Sequence, residues 1–140
     1  MSQENVEIVR AVNEAFEAGV ERGDFGGAWD HEAMAADAEM IPAPEVAPAA
    51  ASYRGRDGFV EFMLTWTEDF ENWSVRLERL IDASDDRVIV FLHQSGVGKG
   101  SGVPVELNYG AIFELEEGRV VRLRVFLSPA QALEAAGLSE

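Results

Sequence analysis

Few side chains in this sequence could move a proton, and two of them sit where a proton transfer would be useful. His93 lies in residues 87–95, RVIVFLHQS, a nearly continuous apolar run, and an imidazole there could give or take a proton near neutral pH. Tyr109 lies in residues 105–127, where alternation sets Tyr109, Ala111 and Phe113 on one side and Asn108 and Ile112 on the other. A phenol on the apolar side can donate to a carbonyl or phenolic ligand. His93 and Tyr109 are therefore the candidate catalytic residues. Each also has a plain structural reading, as a half-buried histidine near a strand end and as a core tyrosine with its hydroxyl at the rim. Asp37 and Glu39 are the carboxylates nearest the expected pocket mouth, and Glu39 could pair with His93 unless it is simply solvated. Trp29, Tyr53 and Trp66 supply apolar walls in either case.

Other chemistries lack their residues. The chain has no Cys, so thiolate catalysis and disulfides are excluded. Its two histidines, His31 and His93, have no ligand-type spacing, and no metal or cofactor is expected. Residues 96–102, GVGKGSG, join two strands and lack the order of a phosphate-binding loop, so they read as a hairpin loop. Arg22-Gly23-Asp24 matches an integrin-binding tripeptide but falls at a joint between helices in a chain without a secretion signal. A net charge of −15 over 140 residues repels phosphate backbones and anionic lipid, which argues against nucleic acid and membrane as partners. No apolar run reaches the roughly 18 residues of a membrane span, and a cytoplasmic protein is expected.

These residues need a scaffold, and its pieces can be read in order. Residues 3–22 carry Val6, Val9, Val12, Phe16 and Val20 as one helical stripe. Gly23 and Asp24 suggest a stop and a restart, predicting a second helix over about 24–36 and then a short strand over 38–41. The proline-rich residues 42–52 read as a loop, with an edge strand near Ser52-Tyr53. A third helix runs from Arg56 to about Phe70, with Phe59, Phe62, Met63, Trp66 and Phe70 on one face. From Trp73 the period becomes two, giving strands over 73–83 and 87–95 and the hairpin over 105–127 that turns at Glu116-Glu117-Gly118. A short helix over 129–138 ends at Gly137. Helices first and an antiparallel meander last make an α+β fold, in one domain over residues 1–140.

With these elements in place the chain resembles the SnoaL-like branch of the nuclear-transport-factor-2-like (NTF2-like) superfamily. The likeness is carried by residues 22–25 (RGDF), 37–40 (DAEM), 53–56 (YRGR), 85–88 (DDRV), 98–102 (GKGSG) and 119–125 (RVVRLRV). It implies a cone: a curved, mostly antiparallel sheet capped by three helices around one apolar pocket, with dimers that pair through the outer sheet face. Registered on the ketosteroid-isomerase members, the oxyanion tyrosine falls at Phe16, the base near Pro42 and the protonated acid near Ala111, all apolar here, so enolisation lacks its groups. The epoxide-hydrolase members need an inward Asp beside an Arg, and this chain offers Arg76-Leu77-Glu78 and Arg122-Leu123-Arg124 instead.

The expectation is a pocket protein for a small apolar or aromatic molecule. Phe16, Trp29, Glu39, Tyr53, Trp66, Ala111, Phe113, Leu123 and Val125 would contact the ligand. Proton-transfer chemistry (cyclisation, isomerisation or dehydration) would fall to His93 and Tyr109. A non-catalytic binding or interaction domain is the alternative, and an epoxide hydrolase a further one. Arg122, Arg124, Glu106 and Glu114 on the hairpin's outer face suit a homodimer.

Overall fold

The valine-rich stripe of the first twenty residues winds as expected into α1 (Ser2–Glu21), with Val9, Val12 and Phe16 buried. The computed structural model describes residues 2–45 and 52–138, so most of the proline-rich loop lies outside the described residues.

The next segment differs from the reading above. In place of a helix over 24–36 there is one 3-10 turn, Gly27–Asp30, and β1 (Met34–Ile41) starts four residues before the expected strand. Two glycines explain the change. A Cβ on Gly19 would lie 2.5 Å from the Asp24 carbonyl oxygen and 2.8 Å from the Gly27 Cα, so α1 and the turn meet backbone to backbone. Asp24 closes the corner by accepting the Gly26 N–H at 2.8 Å rather than capping a helix.

A two-residue edge strand β2 (Tyr53–Arg54) leads into α2 (Gly55–Thr67), which buries Phe59, Phe62 and Met63. The meander follows as β3 (Phe70–Ser84), β4 (Arg87–Gly98), β5 (Pro104–Glu116) and β6 (Arg119–Phe126). The β5–β6 turn holds Glu117 and Gly118 at φ 51° and 77°, the positive pair of a tight hairpin turn.

The six strands form one sheet in the order β2-β1-β6-β5-β4-β3, with β1 parallel to β6 and the other pairs antiparallel. Register shifts in the β3–β4 ladder and in β1 against β6 mark bulges, the device that curves a sheet. One face curls around α1 and α2. The last helix, α3 (Pro129–Ala135), packs on the opposite face, where a Cβ on Gly110 would lie 2.9 Å from that of Ala132.

This two-sided cover explains the unbroken apolar run in β4. Val88, Val90 and Leu92 belong to the main core with α1 and α2, while Ile89 and Phe91 belong to a smaller cluster with Ile112, Ala132 and Leu133 under α3. No helix among the described residues is long and apolar enough to cross a membrane.

Candidate functional site

The curled face encloses a cavity of about 60 Å³. α1 contributes Val12, Asn13 and Phe16 to its wall, the 3-10 turn Ala28 and Trp29, and α2 contributes Phe59, Phe62, Met63 and Trp66. The sheet closes it with Met34, Leu92, Tyr109, Ala111, Phe113, Leu123 and Val125. Alternation along β5 and β6 selects these sheet residues, since Tyr109, Ala111 and Phe113 are every second residue of one strand and Ala111 lies opposite Val125 in the ladder.

Polar groups on this wall are few. The Trp29 indole donates to the Ala35 carbonyl at 3.1 Å, and the Trp66 indole to Oε1 of Gln94 at 2.8 Å. Asn13 Nδ2 donates to the Val9 carbonyl at 2.8 Å within α1. The Tyr109 hydroxyl has no hydrogen-bond partner among the described residues, although Tyr109 is only 6% exposed. Burial raises its pKa well above the ordinary phenol value, and the carboxylate of Glu17 adds to that rise. Tyr109 therefore stays a neutral phenol facing the cavity.

His93 and Glu39 lie elsewhere. β4 places Leu92 opposite Tyr109 in the ladder and His93 opposite Asn108, so His93 and Tyr109 occupy opposite faces of the sheet. His93 Nδ1 lies 2.7 Å from Oδ1 of Asn108 and Nε2 lies 2.8 Å from Oε1 of Glu106. Both partners are acceptors, so the ring is satisfied best as an imidazolium, and its pKa is raised, first by Asn108 and then by Glu106. Glu39 accepts from Arg122 Nε at 3.0 Å, while Arg122 Nη1 donates to Glu114 at 2.9 Å. These bonds, Arg122 above all, hold the Glu39 carboxyl below its ordinary value. A Glu39–His93 acid–base pair does not form. Tyr53 is one ring back from the wall, its centroid 5.4 Å from Phe62.

One residue escaped the sequence reading. Glu17 lies outside the apolar stripe of α1 and is not among the candidates above, yet its Oε2 accepts the backbone N–H of Leu77 at 2.9 Å. Leu77, Leu92 and Tyr109 form one rung across β3, β4 and β5, so Glu17 holds α1 over the strand row that carries the free phenol. Burial raises the Glu17 pKa against the lowering effect of the Leu77 bond. The available signal was spacing, because Asn13 and Glu17 follow Val9 at intervals of four and flank the buried stripe.

A family model described as a SnoaL-like domain matches residues 9–123. No curated protein matches the chain. A putative SnoaL-like polyketide cyclase from Jannaschia sp. CCS1 is 23% identical, with 89% of this chain and 85% of that one covered at a TM-score of 0.67. TerC, co-crystallized with polyporic acid, is 18% identical over 96% of this chain and 98% of its own, with a TM-score of 0.67. A hypothetical protein with a ketosteroid isomerase-like fold from Catenulispora acidiphila DSM 44928, in complex with trimethylamine, is 16% identical over 91% and 93%, with a TM-score of 0.65. At these identities the neighbours establish the NTF2-like α+β fold. With most of its length matched by the family model, the chain belongs to the SnoaL-like domain family.

Proposed function

We propose that the protein binds a compact apolar or aromatic molecule in the cavity between α1, α2 and the sheet, oriented by a hydrogen bond from Tyr109. The observation that carries this reading is the hydroxyl of the buried residue Tyr109, which has no partner among the described residues and lies on a wall whose other residues, Asn13 aside, are apolar or aromatic. Among the described residues the fully buried side-chain atom without a partner is Trp73 Nε1, so the Tyr109 oxygen keeps surface open to the cavity, and a ligand oxygen would gain one ordinary hydrogen bond there, about 1 kcal/mol. The cavity of about 60 Å³ is far below the roughly 300 Å³ and upwards of a drug-sized site. A small molecule fits it directly, and a larger one requires the rings of α2 to move outward.

Binding is better supported than turnover. Proton-transfer chemistry needs a base within reach of the ligand, and the described lining holds no carboxylate, imidazole or thiol. An epoxide hydrolase is disfavoured in the same way, since neither Asp nor Arg lines the cavity. Homodimer formation through the outer sheet face belongs to this reading, limited to the strip around His93, Asn108 and Glu106 that α3 leaves open.

The test is a saturation titration with a panel of small phenols, aryl ketones and compact aliphatic molecules, read by fluorescence of Trp29 and Trp66. A saturable shift with one or more members is expected. A flat response to the whole panel would mean that the cavity is only an imperfection of the core.

A further inference from the structure

Fold neighbours have been captured with an acid and with an amine, so the fold leaves the charge of the ligand open. This chain's own residues do not. We infer that the cavity selects a compact ligand bearing a cationic alkylammonium head, held by the aromatic wall and by the field of Glu17. The inference rests on the proposed binding function and names the ligand class for the same site.

Two independent features carry it. The first is the wall. Seven of the sixteen lining residues are aromatic, and none of the sixteen is Lys, Arg or His. Phe16 and Trp29 pack on Phe59 with centroids 5.6 and 5.4 Å apart, and Trp66 packs between Phe62 and Tyr109 at 5.6 and 6.1 Å. Both lining indole N–H groups are spent on protein acceptors, so their positive edges are not offered to a ligand. Ring faces attract a desolvated cation, and several rings around one site recognise methylated ammonium groups. An anion would find only the Tyr109 hydroxyl and what remains of the Asn13 amide as donors, too little to replace its water.

The second feature is the charge behind the wall. Glu17 is bonded to the Leu77 N–H and forms no ion pair among the described residues. Glu14 and Glu21 add charge of the same sign around it, Arg76 opposes it weakly, and the sequence as a whole carries −15. Its carboxylate is bonded at the Leu77 end of the Leu77–Leu92–Tyr109 rung, and the cation that opposes it, Arg76, is itself paired with Glu78 at 3.1 Å, so the charge is balanced only in part. A positive head in the cavity would supply that balance, and the Tyr109 hydroxyl can rotate to present its oxygen. Glu17 touches the sheet rather than the cavity, so its part is to set the local potential.

The experiment compares choline with the neutral alcohol in which a quaternary carbon replaces choline's nitrogen, both titrated at pH 7 by tryptophan fluorescence. Choline is expected to bind about tenfold tighter to the unaltered protein. Glu17→Gln keeps an oxygen to accept the Leu77 N–H and removes only the charge, and it should narrow the preference severalfold without changing affinity for the alcohol. Far-ultraviolet circular dichroism and the urea midpoint establish that the variant is folded. Equal affinity for the two probes, or tighter binding of the alcohol, overturns the cation preference while leaving the pocket reading intact. An unchanged preference in Glu17→Gln overturns the role of Glu17. A response to neither choline, the alcohol nor any member of the wider panel removes the pocket reading and this inference with it.

Discussion

Tyr109 and His93 lie within one ladder rung of each other, yet they point to opposite faces of the sheet. Tyr109 pairs across with Leu92, and His93 pairs with Asn108. One residue of offset separates a phenol in an apolar cavity from an imidazole in an ionic strip, because side chains alternate along a strand. The two cannot act on one small molecule.

Tyr109→Phe and His93→Ala should therefore separate cleanly. Removing the phenol oxygen should weaken a hydrogen-bonding ligand about fivefold, the worth of one ordinary hydrogen bond. His93→Ala should leave the same titration unchanged. Calorimetric or fluorescence titration of both variants with one panel ligand makes the comparison.

His93 should instead appear in the pH dependence of stability. Its pKa in the folded protein is raised, by Asn108 first and Glu106 second, with Glu78 adding to the rise and Arg76 lying opposite it in the ladder. A raised folded value means that the contribution is fully present below the unfolded value of about 6.5 and is lost as pH rises through the folded value. Urea midpoints measured from pH 5.5 to 8.5 should fall through that window in the unaltered protein. The fall should be smaller in Asn108→Ala, and nuclear magnetic resonance titration of the His93 ring should show its pKa dropping toward the ordinary value.

The parts of the molecule that were legible in the sequence are those where periodicity and burial agree. The stripe of α1, the alternation of β5 and β6, and the turn at Glu117-Gly118 follow from local pattern alone, and the inward set Tyr109, Ala111 and Phe113 comes with them. The run in β4 was ambiguous because both faces are covered, by α1 and α2 on one side and α3 on the other. That ambiguity left open which face of the strand carries His93, and the ladder places it opposite Asn108, away from Tyr109. The predicted helix over 24–36 failed for a tertiary reason, the contact of Gly19 with Gly27, which no local preference encodes. Glu17 was missed similarly, because its partner is a backbone N–H sixty residues away.

The Gly19–Gly27 contact makes a prediction opposite to helix propensity. Ala in place of Gly inside a helix normally stabilises by up to about 1 kcal/mol. At Gly19 the new methyl would meet the Asp24 oxygen and the Gly27 Cα, both backbone atoms that cannot swing aside. Gly19→Ala should cost a net 1–3 kcal/mol, roughly the range for overpacking a tight contact. The urea midpoint of Gly19→Ala should fall, and that of Ala18→Gly at the neighbouring exposed position should fall by no more than about 1 kcal/mol.

Ala111 offers a way to separate a functional cavity from a packing defect. It lies on β5 at the floor of the cavity, 2% exposed, between Tyr109 and Phe113 along the strand and opposite Val125 across it. Ala111→Val adds two methyl groups into a space of about 60 Å³ and suits the strand, so it should fold and gain up to about 1.5 kcal/mol from the added burial. The same methyl groups occupy the room a ligand would need, and the fluorescence response to the best panel ligand should fall at least about tenfold. The two readouts move in opposite directions only if the empty space serves a ligand. A gain in urea midpoint with an undiminished ligand response would place the bound molecule elsewhere on the protein. A loss of both would mean that the cavity walls cannot accept the extra volume, and Ala111→Ser, which adds one oxygen and little bulk, would then report whether the floor tolerates any change at all.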